Sequence, residues 1–511
     1  MLAQLKSATL LGLSVHLVEI EVDAAGGLPS WDIVGLPDTA VKESKERVRT
    51  AIKNAGYDVP PRRIVVNLAP AYLRKEGPSF DLAIAIAILA VTEQLHCSQL
   101  DAYLLLGELS LDGSLRPVKG ILPISLEYCS TGYTMLVPAA NQEESAIGGT
   151  VTYGFRHLRD VVHFLENPQQ YTPVQVAPPI FSPSAQLYSQ HDFAQIRGQA
   201  EAKRALEIVA AGNHNILMVG SPGSGKTMLS QALPSILPPL TLAESLSLSK
   251  IYSIAGLLPP NQPLVQERPF RAPHHSASTA SIIGGGRIPH PGEVSLSHHG
   301  VLFLDEFPEY RREVLEALRQ PIEDGEVTVS RVQAQITFPC HFLLAASMNP
   351  CPCGYYNDPH RECTCTPGQL QKYRNRVSGP LLDRFDLQLE VVPVTFQDLH
   401  QTNLEEPSSQ IRQRVIQARQ IQQQRFADSA TIHNGAMTVE QIQLHCQLDN
   451  PSRTFLEQAF QRLGLSARAH NRILKVARTI ADLAQSEQIQ LPHLAEAIQY
   501  RTLDKKLWME F

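Results

Sequence analysis

The apolar run Asn215-Ile216-Leu217-Met218-Val219 leads directly into Gly220-Ser221-Pro222-Gly223-Ser224-Gly225-Lys226-Thr227, and Met228-Leu229-Ser230-Gln231-Ala232-Leu233 follows with helix-competent residues. This order of strand, glycine-rich loop and helix limits the fold more than any other feature of the chain. Glycines let successive backbone N–H groups turn toward one anion, and the start of the helix adds positive potential. Lys226 then reaches the outer phosphates of a nucleotide, and the Thr227 hydroxyl ligates Mg²⁺. The ligand expected here is ATP with Mg²⁺, in an α/β core built on a parallel sheet.

A site of this kind needs a second apolar strand ending in carboxylates, and Val301-Leu302-Phe303-Leu304-Asp305-Glu306 provides one. Asp305 would hold the Mg²⁺ through water, and Glu306 would orient and polarise the attacking water. Adjacent carboxylates at a strand end are common on their own; coupled to the loop at 220–227 they point to ATP hydrolysis. Phe342 to Ser347 forms a third apolar run, closed by Met348-Asn349. Asn349 either hydrogen-bonds the γ-phosphate or the lytic water, or simply begins a turn before Pro350.

The 511 residues exceed one core, and a prior of ~100–200 residues per domain gives two to four domains. Lys plus Arg is 44 against 50 for Asp plus Glu, which excludes a globally basic binder but allows local basic patches. The longest apolar run, Leu82 to Val91, is half the ~20 residues a spanning helix needs. Near the start, His16 and Glu19 break the apolar stretch, and Val18-Glu19-Ile20-Glu21-Val22 alternates as a strand does. No membrane association and a cytoplasmic address are therefore expected.

Residues 1–167 read as a first α/β domain. Asp38 to Ala55 has helical spacing with a left-handed stop at Gly56, Ile64 to Leu68 reads as a strand, and a mostly buried helix opens at Pro78-Ser79-Phe80-Asp81. Prolines at 168, 173, 178, 179 and 183 mark a stiff linker over 168–188. The nucleotide core then covers 189–395. Residues 396–511 read as all-helical, from Ile411–Arg425 to Leu494–Tyr500. Cys97, Cys129, Cys340 and Cys446 are scattered and expected to be buried and reduced.

Cys351-Pro352-Cys353 and Cys363-Thr364-Cys365 lie together in a Pro/Gly-rich loop. Four thiolates so close can close a tetrahedral Zn²⁺ site and order a loop that has no core. The C-x-C spacing is tighter than usual, and transient disulfides are the alternative. Between Arg453 and Arg478 six basic residues face the single acid Glu457, which suits either phosphate contact or a solvated helix face.

These elements in this order resemble the AAA+ ATPases, and within them the magnesium-chelatase-like branch. The likeness sharpens at Arg268-Pro269-Phe270-Arg271-Ala272-Pro273-His274-His275-Ser276, Gly284-Gly285-Gly286 and Pro291-Gly292-Glu293-Val294-Ser295-Leu296. With Asp305-Glu306 these segments resemble the ComM/YifB group across nearly the whole chain. The resemblance implies a Lon-protease-like first domain, an AAA+ core and a small helical lid. It places Ile196 and Gly198 beside the adenine, makes Arg384 the finger entering a neighbour's site, and makes Arg468 the lid's sensor arginine, with Arg472 one turn away as a substitute.

A trans arginine is worth ~10³–10⁵ in rate, and it implies a ring, by resemblance a hexamer. The same resemblance assigns DNA contact to Arg271, His274, His275, Arg287 and, in the hairpin region 326–338, Arg331. Metal binding at His274-His275 and His298-His299 ranks below this, since no ligand spacing recurs there. The implied function is an ATP-driven DNA motor, a helicase or branch-migration factor for single-stranded, forked or branched DNA in natural transformation and recombination. The alternatives are the ATPase subunit of a metal-chelatase complex or an ATP-dependent peptidase. Lys75-Glu76-Gly77-Pro78-Ser79 resembles a Lon nucleophile turn, but Leu122 occupies the place of the lysine that would activate Ser79. The first domain is thus expected to be proteolytically inactive, with Ser79 capping the next helix.

Overall fold

Alternating side chains dictate the first sheet. In the computed structural model, which describes residues 2–97, 99–176, 191–259, 262–286, 289–331, 334–356, 358, 361–394, 405–429 and 431–501, the chain divides into two compact units. One comprises residues 1–180, 242–266 and 332–338, and the other the remainder. Most of the expected linker, 177–188, lies outside the described residues, and Pro168–Gln170 is a single 3₁₀ turn.

The first unit carries strands β1 (Leu2–Leu11), β2 (Ser14–Ala25), β3 (Ser30–Val34), β4 (Arg63–Ala69), β5 (Tyr103–Leu105), the short pair β6 (Glu108–Leu109) and β7 (Leu115–Arg116), then β8 (Thr134–Pro138) and β9 (Thr152–Phe155). Seven of them form one mixed sheet in the order β3-β4-β2-β1-β5-β8-β9. The strand expected at 18–22 is the middle of β2, antiparallel to β1 with Leu5 opposite Ile20. Leu105 and Leu136 face one buried cluster while Leu104, Met135 and Val137 face another. This is the period-2 signature of strands covered on both faces.

The helix Thr39–Asn54 begins where expected, with the Asp38 carboxylate accepting from Val41 N–H at 2.7 Å, and Gly56 closes it at φ 85°. The apolar helix Asp81–Val91 is buried on all sides, with all but Ala90 buried. Ser79 does not cap it. Ser79 sits inside the 3₁₀ turn Pro78–Phe80, which has no side-chain cap, and its carbonyl accepts from Gly107 N–H at 2.9 Å. Asp81, the first residue of the helix, is buried and paired with Arg47 at 2.9 Å, and the helix start has no side-chain cap.

The second unit holds a five-stranded parallel sheet. Its strands are β10 (Ile216–Val219), β11 (Phe270–Arg271), β14 (Val301–Leu304), β17 (Leu343–Met348) and β18 (Leu387–Glu390), in the order β11-β14-β17-β10-β18. Between them come the short antiparallel pair β12 (Gly284–Gly285) and β13 (His290–Pro291) and the strand β15 (Glu326–Arg331), whereas all but the last residue of β16 (Ala334–Pro339) belongs to the first unit.

The helices expected after residue 396 are Ser408–Arg425, Val439–His445, Asn450–Leu463, Ala467–Leu483 and Leu491–Gln499. Their apolar faces join one hydrophobic core with the sheet through Val415, Ile473 and Ile480 on one side and Ile216, Met218 and Phe303 on the other.

Three cationic residues of the 453–478 stretch are engaged inside this unit and do not form a solvated face. Arg472 pairs with Asp386 at 2.5 Å, Lys475 donates to Gly435 O at 3.0 Å, and buried Arg478 pairs with Asp482. Among the scattered cysteines, Cys340 and Cys446 are buried as expected, whereas Cys129 is exposed and Cys97 half-buried.

Candidate nucleotide site and thiol cluster

The parallel register delivers the three strand ends to one place. Val219 lies opposite Met348, and Leu304 lies opposite Ala346. The loop after β10, the carboxylates after β14 and the amide after β17 therefore meet at the carboxyl edge of the sheet, where such folds bind ligands. Gly223 and Gly225 take φ of 81° and 92°, the left-handed region that side chains avoid, so the loop can curl back on itself.

Lys226 opens the helix Lys226–Ala232 and is 8% exposed. Its Nζ donates to Gly220 O at 2.7 Å and Ser221 O at 2.9 Å, and lies 3.4 Å from Asn349 Oδ1. Burial lowers its pKa and the nearby Asp305 charge opposes that shift. The Thr227 hydroxyl donates to Asp305 Oδ2 at 3.0 Å. Threonine and carboxylate together fit a Mg²⁺ ion, which would neutralise charge on the β- and γ-phosphate oxygens.

Sequence reading missed Ser347, whose hydroxyl donates to Asp305 Oδ1 and orients the carboxylate; its only signal is a lone hydroxyl in the apolar run of β17. Glu306 adopts φ 51° and its Oε2 lies 3.2 Å from Nδ1 of His275, a residue assigned to DNA. The His275 ring packs against that of the exposed His274, with centroids 4.0 Å apart and the planes tilted by 35°.

Gln199 Nε2 donates to Ser224 O at 3.2 Å, which brings the 196–199 segment against the loop. Within that segment Ile196 is buried and Gly198 N–H donates to Glu405 at 2.9 Å.

The remaining assigned residues lie elsewhere. Arg384 is 5% exposed and is held by Glu323 at 2.7 Å and by the carbonyls of Arg319 and Pro380. Arg468 is exposed at the start of its helix, and Arg472, the suggested substitute, is committed to Asp386. Arg271 forks Glu293 at 2.6 and 2.8 Å. Arg287 and the Arg331 side chain lie outside the described residues.

In the first unit Leu122 is fully buried.

The four thiols do converge. Cys351, Cys353, Cys363 and Cys365 place their sulfurs within 4.8 Å of one another, with separations of 3.3, 3.7 and 3.6 Å among Cys351, Cys353 and Cys363. A regular tetrahedron with Zn–S near 2.3 Å has S···S edges of about 3.8 Å, so these spacings fit zinc. They are far longer than a disulfide bond of about 2.05 Å. Among the described residues no histidine group forms a comparable metal cluster. Buried His298 instead accepts from His341 N–H at 3.0 Å.

The family model described as magnesium chelatase, subunit ChlI, matches residues 192–399. Subunit ChlI of Mg-chelatase matches 20–141, and its C-terminal model matches 405–501. The uncharacterized protein YifB of Salmonella typhimurium is 44% identical over 509 residues, covering 99% of this chain and 98% of its own. The competence protein ComM of Haemophilus influenzae is 45% identical over 511 residues, with the same coverage. The chain belongs to the ComM/YifB family of magnesium-chelatase-like proteins. Another ComM/YifB relative, YifB of Escherichia coli, is 45% identical over 499 residues, or 97% of this chain and 96% of its own. The three family models together fall on both units, so the ComM/YifB resemblance carried by motifs in the second unit extends to the first. No helix among the described residues is long and apolar enough to cross a membrane.

Proposed function

We propose that the protein hydrolyses ATP to drive movement on DNA, as a hexameric ring acting on single-stranded, forked or branched substrates in natural transformation and recombination. The observation that carries the ATPase is the meeting of Lys226, Thr227, Asp305 and Asn349 at one sheet edge, with Thr227 and Asp305 at 3.0 Å. Lys226 and the loop N–H groups hold the phosphates, Thr227 and Asp305 hold Mg²⁺, and Glu306 directs water at the γ-phosphoryl group. For that step Glu306 must leave His275, and His275 belongs to the segment assigned to DNA. A polynucleotide drawn against 271–291 would therefore free the base.

The DNA substrate rests on the relationship to a competence protein along nearly the full length. Arg384 serves the neighbouring site as a trans finger, exchanging exposed Glu323 for the γ-phosphate; Arg468 of the lid approaches the same nucleotide. The first unit, Lon-like in order, serves as a proteolytically inactive platform. The four thiols hold a structural Zn²⁺, and the protein works in the reducing cytoplasm where such a site persists.

The test is ATPase and strand-exchange activity measured in parallel on forked, four-way and linear DNA, with particle mass read in the presence of a non-hydrolysable analogue. DNA-stimulated turnover by a hexamer is expected. Turnover indifferent to every DNA would overturn the motor. It would favour the ATPase subunit of a metal-insertion complex, the reading that the descriptions of the matching family models support.

A further inference from the structure

The thiol loop and the nucleotide loop are joined at two points. The first is covalent and hydrogen-bonded. Gly220 N–H donates to Met348 O at 3.2 Å, so the end of β17 is tied to the first residue of the phosphate loop. Asn349 follows with its amide oxygen 3.4 Å from Lys226 Nζ. The first thiol, fully buried Cys351, comes two residues later.

The second joint is a packing contact. Gly354, between Cys353 and Tyr355, has φ 86°, and a Cβ built there would lie 2.6 Å from Pro222 Cδ and 2.7 Å from Pro222 Cγ. The thiol loop's backbone therefore rests directly on the phosphate loop, at a distance that only glycine permits.

The segment 351–365 contains no helix or strand of its own among the described residues, and Cys351 is its one buried apolar side chain. A loop of this kind is ordered by what its thiolates bind rather than by a core. Whatever fixes the four sulfurs also fixes Gly354 against Pro222 and the lead from Asn349 to Cys351.

From these contacts we infer that metal in the thiol cluster and nucleotide in the phosphate loop stabilise one another, with Gly354 and Pro222 as the coupling contact. The inference rests on the zinc reading above and goes beyond it by making the cluster a regulator of nucleotide affinity. Coupling of two binding equilibria is reciprocal. Metal must therefore tighten nucleotide binding by the same factor by which nucleotide tightens metal binding.

The test uses the full-length protein. Zinc per chain is counted first. Affinity for a fluorescent ADP with Mg²⁺ is then measured before and after zinc is stripped with an organomercurial and a chelator. Separately, zinc release to a chromogenic chelator is timed with and without ADP. The expected result is about one zinc per chain, an affinity weakened about fivefold or more on stripping, and release slowed by ADP. Gly354→Ala should retain zinc and all four thiols, yet bind ADP less tightly. Pro222→Ala, which relieves the contact without crowding it, should leave zinc release indifferent to ADP.

Well under one zinc per chain overturns both the zinc reading and the coupling. One zinc per chain, with release indifferent to ADP and affinity unchanged on stripping, overturns the coupling and leaves the zinc reading standing.

Discussion

Among the described residues each unit buries one lysine almost completely, and the two lysines end in different chemistry. Lys75, in the first unit, is fully buried with its ammonium on the Pro70 carbonyl, and burial lowers its pKa. Lys226, in the second unit, is nearly as buried and its pKa is lowered by the same cause, but it sits among the Gly220 and Ser221 carbonyls, Asn349 and the field of Asp305. A buried cation by itself therefore does not mark a site. The difference lies in the neighbours: left-handed glycines, a hydroxyl and a carboxylate that converge on one anion and one metal.

The contrast can be broken in four ways, in descending order of effect. Lys226→Ala should abolish ATP hydrolysis; measurable turnover by a phosphate-release assay would remove the lysine from its role. Arg384→Ala should keep nucleotide binding but lose turnover by ~10³. Mixing Arg384→Ala with Lys226→Ala subunits should restore part of the rate, because intact half-sites then meet. A mixture as inactive as its components would count against a shared site.

The third concerns Asp81, whose carboxyl burial pushes up to about 6 against the opposing pull of Arg47. A raised carboxyl pKa means that the fold favours the protonated form. Stability from this group is present below the ordinary carboxylate range and falls away as pH rises through about 6. Arg47→Leu then leaves an unpaired buried carboxylate at pH 8, costing about 3–5 kcal/mol, and much less at pH 5. Equal losses in thermal melts at both pH values would show that the pair is not buried in this way. The smallest effect is expected from Lys75→Met: about 1 kcal/mol of stability from the unmatched Pro70 carbonyl, and ATPase within about twofold of the parent. A large loss of turnover would erase the distinction between the two lysines.

Elements with local causes are legible in the amino-acid order alone. Asp38 and Gly56 bound the first helix through a cap and a left-handed stop, both of which act within a few residues. The loop at 220–227 declares itself because its glycines, lysine and threonine must be contiguous to wrap one phosphate. Ser79 misleads because a serine before an apolar helix is a frequent cap, whereas here a 3₁₀ turn follows Gly77 and the buried Asp81–Arg47 pair occupies the helix start.

The basic stretch 453–478 reads as a patch because composition counts charges without their partners. Asp386, far away in sequence, takes Arg472, and Asp482 takes Arg478. Equally hidden is the departure of the helix Leu242–Ala255 from the nucleotide unit. The first unit claims it, with Ser253 O accepting from Gly120 N–H at 3.2 Å and the Ser253 hydroxyl donating to Glu144 at 2.5 Å.

The amino-acid order by itself determined the phosphate loop, the apolar strands that must flank it and the four thiols of one short segment, because each depends on residues adjacent along the chain. Folding alone decided that Ser347 aligns Asp305, that His275 holds Glu306, that Glu323 holds Arg384 and that Gly354 lies on Pro222. Those pairings join strand ends, loops and helices whose approach is set by sheet register and core packing, and neither is written in local spacing.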